Sequence, residues 1–217
     1  MADKIVLWGR KSSCNVQTTL WALLEVGVPF DHIEVGGVHG GLDDPTYRAL
    51  NPNGLVPTLQ DGALTIWESH ATVRYLAGAY GQDSLWRAEP RERALVDQWT
   101  DWAATTFQPA WIGLFWRLVR TPLTQHDSAT IGLAYDSTVA AMLLLNDHLT
   151  TRAYIAGDSI SYADIVSGVA LFRWFTMDIE RPAMPALEAW YARLQKRPGF
   201  RQAVMISYAD LVGRLDN

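Results

Sequence analysis

The sequence predicts an α/β domain with a mixed sheet followed by an all-α helical domain, and three observations carry that prediction. Short β-type runs alternate with helical patterns over the first part of the chain, in the order β-α-β-α-β-β-α. An Asp61-Gly62 turn between two short apolar runs marks an antiparallel hairpin. After Pro90 the strand signals almost vanish, and long helical patterns take over. The expected division is residues 1–80 for the α/β domain, 81–88 for a linker and 89–217 for the helical domain.

Each element has its own signal. Ile5-Val6-Leu7-Trp8 is a short β-type run that ends at Gly9. Val16, Leu20, Leu23 and Leu24 are spaced for one face of a helix, and Gly27 stands where a terminal glycine would stop it. Pro29 opens an extended piece in which Ile33 and Val35 alternate around Glu34, completing a βαβ unit with parallel strands. A Gly-rich loop follows, Gly36-Gly37 and Gly40-Gly41, and then a short helix from Pro45 to Leu50. Val56 to Gln60 and Ala63 to Ile66 form the hairpin, and a helix from about Trp67 to Tyr80 carries Ala71, Tyr75 and Leu76 on one side. Helical patterns then cover roughly 89–119, 126–151, 161–176, 184–196 and 198–206, punctuated by Pro122, Gly157, Pro182, Pro185 and Pro198.

Composition narrows the function classes. The 217 residues are 49% hydrophobic and 19% charged, enough to bury real cores. A net charge of −5 repels a polyphosphate backbone, so no nucleic-acid partner is expected. The single cysteine, Cys14, cannot close an internal disulfide, which fits a reducing compartment. Met1-Ala2-Asp3-Lys4 lacks the layout of a secretory signal. The longest strongly apolar run, Val139 to Leu145, is far short of the roughly 20 residues of a membrane helix. The expectation is a soluble cytoplasmic protein with no membrane partner. His32, His39, His70, His126 and His148 show no metal-ligand spacing, so no metal site is expected.

Three short segments can carry chemistry. Ser13 falls where the first strand passes into the first helix, beside unpaired backbone N–H groups that favour an anion. Its hydroxyl can donate to a thiolate there, or Ser12 or Ser13 can simply cap the helix. Val56-Pro57 opens a strand with a residue that lacks a ladder donor. A cis bond would present the Val56 backbone to an extended peptide ligand; a trans edge-strand proline is the alternative. Glu68-Ser69 starts the third helix, offering a carboxylate to an ammonium group and donors to a carboxylate, or serving only as a cap.

With these segments in one order within one β-α-β-α-β-β-α frame, the chain resembles the soluble glutathione transferases. It is most similar to bacterial members with a serine in the first βα turn, through Ser13-Cys14-Asn15-Val16-Gln17, Asn51-Pro52, Val56-Pro57, Trp67-Glu68-Ser69 and Val73-Arg74-Tyr75-Leu76. Ser161-Tyr162-Ala163-Asp164-Ile165 also matches; physically it is a capping box, flanked by Ile160 and Ile165 at the hydrophobic-staple positions. The resemblance implies a thioredoxin-like first domain, glutathione as cosubstrate and a homodimer. It implies that Ser13 stabilises the thiolate and that Glu68 and Ser69 hold the γ-glutamyl head. Val56 would pair its backbone with the cysteinyl unit, beside a cis Pro57. Many relatives carry a basic residue where this chain has Leu55, so either His39 meets the glycyl carboxylate or glutathione binds less tightly.

The second substrate, a small hydrophobic electrophile, is expected to meet the aromatic stripe Trp99, Trp102, Phe107, Trp111, Phe115 and Trp116, with Phe107 and Trp111 as its pocket residues. Cys14 also lies near a helix N-terminus, where a thiol's pKa falls. Adjacent helical residues point about 100° apart, so Cys14 is expected to be a buried packing residue while Ser13 faces the sulfur. The rival functions are a Cys14-dependent glutathione-linked thiol reductase and a non-enzymatic interaction protein on the same fold. A glutathione-using lyase, isomerase or dehalogenase needs the same thiolate and differs only in the electrophile.

Overall fold

The computed structural model describes residues 4–82 and 84–215. Met1, Ala2 and Asp3 of the amino terminus lie outside them, as does Asp83 of the expected linker. Strands β1 (Ile5–Trp8), β2 (Phe30–Ile33), β3 (Thr58–Asp61) and β4 (Leu64–Trp67) form one sheet in the order β2-β1-β3-β4. β1 and β2 are parallel, while β3 runs antiparallel to β1 and β4, which makes the mixed sheet the sequence predicts. The ladder is shifted from expectation at two places. β2 stops at Ile33, leaving Val35 outside it, and β3 begins only at Thr58, because Pro57 has no N–H to donate. Thr58 pairs with Trp67, so β4 runs on to Trp67 and the helix after it starts later than expected.

Helix α1 (Cys14–Val26) ends as predicted at Gly27, whose φ of 70° and ψ of 22° suit a residue without Cβ. Burial is not confined to one face: every residue from Val16 to Leu23 is buried, since α1 is packed on several sides. The three polar side chains Gln17, Thr18 and Thr19 are satisfied inside, Thr19 by a 2.7 Å hydrogen bond to Thr72. α2 (Pro45–Leu50) is capped by Asp44, whose carboxylate accepts from Thr46 N–H. α3 (Ser69–Tyr80) buries the stripe Ser69, Thr72, Val73, Leu76 and Ala77. Ala71 and Tyr75 are only half-buried, and Tyr75 donates to Asp61 at 2.6 Å.

The second half is helical. α4 (Pro90–Trp102) and α5 (Gln108–Phe115) replace the single regular helix expected over 89–119. A wide π-helical turn at Ala103–Phe107 joins them, and a second at Trp116–Arg120 follows α5. Pro109 explains the first: it cannot donate to Thr105, and its ring would crowd that carbonyl in a regular α-helix. α6 (Ser128–Leu149), α7 (Tyr162–Thr176), α8 (Pro185–Gln195) and α9 (Pro198–Ala203) follow, the last shorter than expected. Although its uninterrupted apolar run is short, α6 is long and apolar enough, by length and composition, to cross a membrane. In this fold it packs against α5 and α8, and the face carrying Ala141, Met142, Leu145 and Leu149 is buried.

Two contacts decide how the halves meet. Trp21 of α1 is fully buried with its ring edge-on to Phe200 of α9, centroids 4.9 Å apart. Glu25 of α1 accepts two hydrogen bonds from Arg197, at 2.9 and 2.5 Å. The sheet-bearing domain therefore presents the start of α1 to the helical domain in a fixed orientation.

Candidate active site

The site begins at the turn between β1 and α1. Gly9 has a φ of 143°, and a Cβ there would stand 2.4 Å from Val16 Cγ2 and 3.0 Å from Val56 Cβ. Only glycine lets these segments approach so closely. Ser13 takes the N-cap position with an extended backbone, yet its side chain makes no capping hydrogen bond. The cap alternative is thus met by position only, and the half-buried hydroxyl keeps its proton for another acceptor.

Two clefts meet beside it, sharing Asn15. The smaller, about 50 Å³, is lined by Val56, Pro57, Glu68 and Ser69, among others. The Val56-Pro57 bond is cis, and among the described residues the Val56 backbone forms no hydrogen bond. Glu68 is the only non-glycine residue with positive φ among those described, at 71°. Ser69 is buried at the first position of α3. Leu55 also lines this cleft, with its side chain largely exposed. The larger cleft, about 190 Å³, contains Ser13, Cys14, Phe115, Trp116 and Arg173. Asn15 is fixed between the two by a 2.5 Å hydrogen bond from Gln108 of α5.

Several expected residues lie elsewhere. His39 sits on a short 3₁₀ turn, paired with Glu34 at 3.2 Å. It lines a third cavity of about 270 Å³ rather than the cleft of Val56 and Glu68. Phe107 and Trp111 are buried in the core, with Phe107 stacked on Trp102, and neither lines either of these two clefts. Ile112, Phe115 and Trp116 line the larger cleft instead. The physical reason is helix phase: the five-residue π turn at Ala103–Phe107 rotates everything after it relative to a 3.6-residue period. Cys14 is half-buried and lines the same cleft as Ser13, so the expected separation of the two side chains does not hold. Ser13 is not yet helical, and the 100° rule applies only inside the helix.

Sequence reasoning missed two cations. Arg173 of α7 is almost fully buried and donates from Nη2 to the Ser12 carbonyl at 2.7 Å. A lone arginine in an otherwise apolar helical pattern is the signal that was available. Burial pulls its guanidinium below the usual arginine range. Arg10, in the βα turn, is buried as well. Among the described residues, no three His, Cys, Asp or Glu side chains are placed to hold a metal ion.

Comparison with known proteins decides the family. The model of the glutathione S-transferase N-terminal domain matches residues 12–79, and that of the C-terminal domain matches residues 137–198. Glutathione S-transferase GstB of Escherichia coli K12 is 39% identical over 204 residues, covering 93% of this chain and 98% of the relative. The chain belongs to the glutathione S-transferase family. Glutathione S-transferase D6 of Drosophila melanogaster is 31% identical over 198 residues, 89% of either chain. Among solved structures, a theta-class glutathione S-transferase of Xanthomonas axonopodis pv. citri with glutathione bound superposes with a TM-score of 0.91. It is 47% identical and covers 96% of this chain, which covers all of that one. The glutathione S-transferase fold, a thioredoxin-like domain followed by a helical one, is therefore that of this chain.

Proposed function

We propose that this chain is a serine-type glutathione S-transferase, of the bacterial kind, that joins the glutathione sulfur to a small electrophile. The observation that supports it best is the uncapped Ser13 hydroxyl, at the N-terminus of α1 where the two clefts meet. In the smaller cleft the Glu68 carboxylate accepts from the γ-glutamyl ammonium group. Ser69 and the α3 N-terminus donate to its carboxylate. The free Val56 backbone pairs with the cysteinyl unit beside Pro57. His39, whose cavity shares Arg10 and Ser12 with the larger cleft, is our choice for the glycyl carboxylate. We take residues 1–80 as the glutathione domain, 81–88 as linker and 89–217 as the domain that shapes the electrophile's pocket, in a cytoplasmic homodimer.

The energetics fit. Lowering a thiol from ~8.5 by about two units needs roughly 2.7 kcal/mol. A hydrogen bond to a charged group supplies roughly 1.5–3 kcal/mol and a helix N-terminus about 0.3–1 kcal/mol more. Ser13 thus acts as donor, while the thiolate is the nucleophile. Replacing Ser13 by alanine is expected to lower kcat/KM for chlorodinitrobenzene by roughly 10–100-fold, the range of one charged hydrogen bond. The ultraviolet band of bound thiolate should vanish at neutral pH. Unchanged turnover would remove Ser13 from the mechanism.

A second reading has its own observation, because Cys14 shares the cleft with Ser13. If Cys14→Ala abolishes a glutathione-disulfide exchange that Ser13→Ala leaves intact, the chain is a thiol reductase on this fold. Failure to be retained on immobilised glutathione would favour a non-enzymatic interaction protein.

A further inference from the structure

The larger cleft is lined by two buried cations, Arg10 and Arg173, that form no ion pair among the described residues. Each is more than nine-tenths buried. Arg173 spends Nη2 on the Ser12 carbonyl and lies 4.4 Å from the centre of the Phe115 ring. Arg10 Nε is buried without any hydrogen-bond partner. Arg120 lines the same cleft, 3.8 Å from the Trp116 ring centre. The lining contains no aspartate or glutamate. Glu34 and Asp210 line the neighbouring cavity, where Glu34 is engaged by His39 and the Lys11 N–H.

This arrangement is built into the backbone. A Cβ on Gly37 would stand 3.0 Å from Arg10 Cδ, and one on Gly36 would stand 3.5 Å from Arg10 Nη1. The first glycine pair of the Gly-rich loop therefore makes room for the Arg10 side chain. Burying a guanidinium without a paired carboxylate is costly, and an anion brought in later offsets part of that cost. A single thiolate supplies one negative charge, fewer than the two positive charges of Arg10 and Arg173 beside it.

We propose that the electrophile accepted here is a small acid: a carboxylate that carries its leaving group on an activated carbon, held by Arg10 and Arg173 against Phe115 and Trp116. The inference rests on the glutathione-transfer reading and names the substrate class of that same site. At about 190 Å³ the cleft is below the roughly 300–1,000 Å³ of drug-sized sites, which restricts the acid to a small one. Guanidinium forks match a carboxylate with two parallel hydrogen bonds, and the aromatic rings cover the apolar remainder. The thiol proton leaves to solvent first. The sulfur lone pair then forms the C–S bond, the carbon–halogen bond breaks, and halide departs with its electron pair.

The test compares 4-chloro-3-nitrobenzoate with its neutral carboxamide at saturating glutathione, after subtraction of the uncatalysed rate. The expected kcat/KM ratio favours the acid by about 10–100-fold, the range of a charge-assisted hydrogen bond. Arg10→Gln and Arg173→Gln should each bring that ratio at least tenfold closer to one, and Arg173→Lys should keep part of it. Equal or better turnover of the carboxamide overturns the proposal while leaving glutathione transfer intact. A raised KM for glutathione in Arg10→Gln with the acid-to-amide ratio preserved also overturns it, since the cations then serve glutathione itself. If neither compound is turned over, the affinities of S-(4-carboxy-2-nitrophenyl)glutathione and its carboxamide decide: tighter binding of the acid supports the proposal, and equal affinities sink it.

Discussion

Glu68 stands in a backbone conformation that glutamate seldom adopts, with φ 71° and ψ 111°. Such a conformation costs on the order of 1–3 kcal/mol and persists where surrounding structure imposes it. Glycine would relieve that cost but would lose more backbone entropy on folding, about 0.5–1 kcal/mol. Glu68→Gly is therefore expected to leave the protein as stable or up to roughly 2.5 kcal/mol more stable in urea denaturation. It should weaken glutathione binding at least tenfold through the lost charge-assisted contact. A variant that is less stable yet binds normally would remove the link between strain and function. The residues near this cleft were legible because each sits in a locally defined frame: Ser13 at a strand-to-helix turn, Pro57 at a strand start, Glu68-Ser69 at a helix start. The cis Val56-Pro57 bond was expected on resemblance and is present. Arg173 was not legible, because its partner Ser12 lies 161 positions away along the chain.

At the scale of elements, the start of α7 shows how far a local motif reaches. The capping box of Ser161 and Asp164 forms as the sequence predicts, with both reciprocal hydrogen bonds present. The same carboxylate also accepts from Ile155 N–H at 2.9 Å and from the Trp190 indole at 3.1 Å. Those two partners come from a loop and from α8, so no helix-start pattern could name them. Burial pushes the Asp164 carboxyl up to about 6, and its four donors hold it down against that rise. Asp164→Ala would strand buried donors that cost about 1–3 kcal/mol each. We expect a loss of roughly 3–5 kcal/mol in chemical denaturation, against about 1 kcal/mol for Ser161→Ala. Similar losses for the two variants would reduce Asp164 to an ordinary cap. The opposite case is the α4–α5 segment, where helical periodicity is legible in the sequence and its phase is not. Proline at 109 was visible in the sequence, yet the wide turn before it redirects Phe115 and Trp116, and not Phe107 and Trp111, to the cleft.

At the scale of the whole molecule, the cleft exists only while α1 stays docked on the helical domain, and one glycine measures how tight that docking is. A Cβ on Gly168 of α7 would meet Leu194 Cδ1 at 2.7 Å and the Trp21 ring at 3.0 and 3.1 Å. Inside a helix, alanine is favoured over glycine by about 1 kcal/mol, so propensity alone predicts a more stable Gly168→Ala variant. Packing predicts the reverse, since overfilling a close-packed core costs typically 1–3 kcal/mol. The Leu194 methyl is the end of a flexible side chain and can give way. Trp21 cannot: it is fully buried, edge-on to Phe200, and its indole N–H is tied to Glu25 at 2.8 Å. Glu25 is held in turn by Arg197, so any retreat of the ring strains a bond between the domains. Packing should therefore win, with a net loss of roughly 1–2 kcal/mol for Gly168→Ala and a larger one for Gly168→Val. Because α1 begins at the Ser13 turn, turnover should fall in step with stability in both variants. Urea unfolding followed by tryptophan fluorescence and by far-ultraviolet circular dichroism tests both points. A Gly168→Ala protein that is more stable than its parent and fully active would show that the interface around Trp21 yields, and that the cleft does not depend on it.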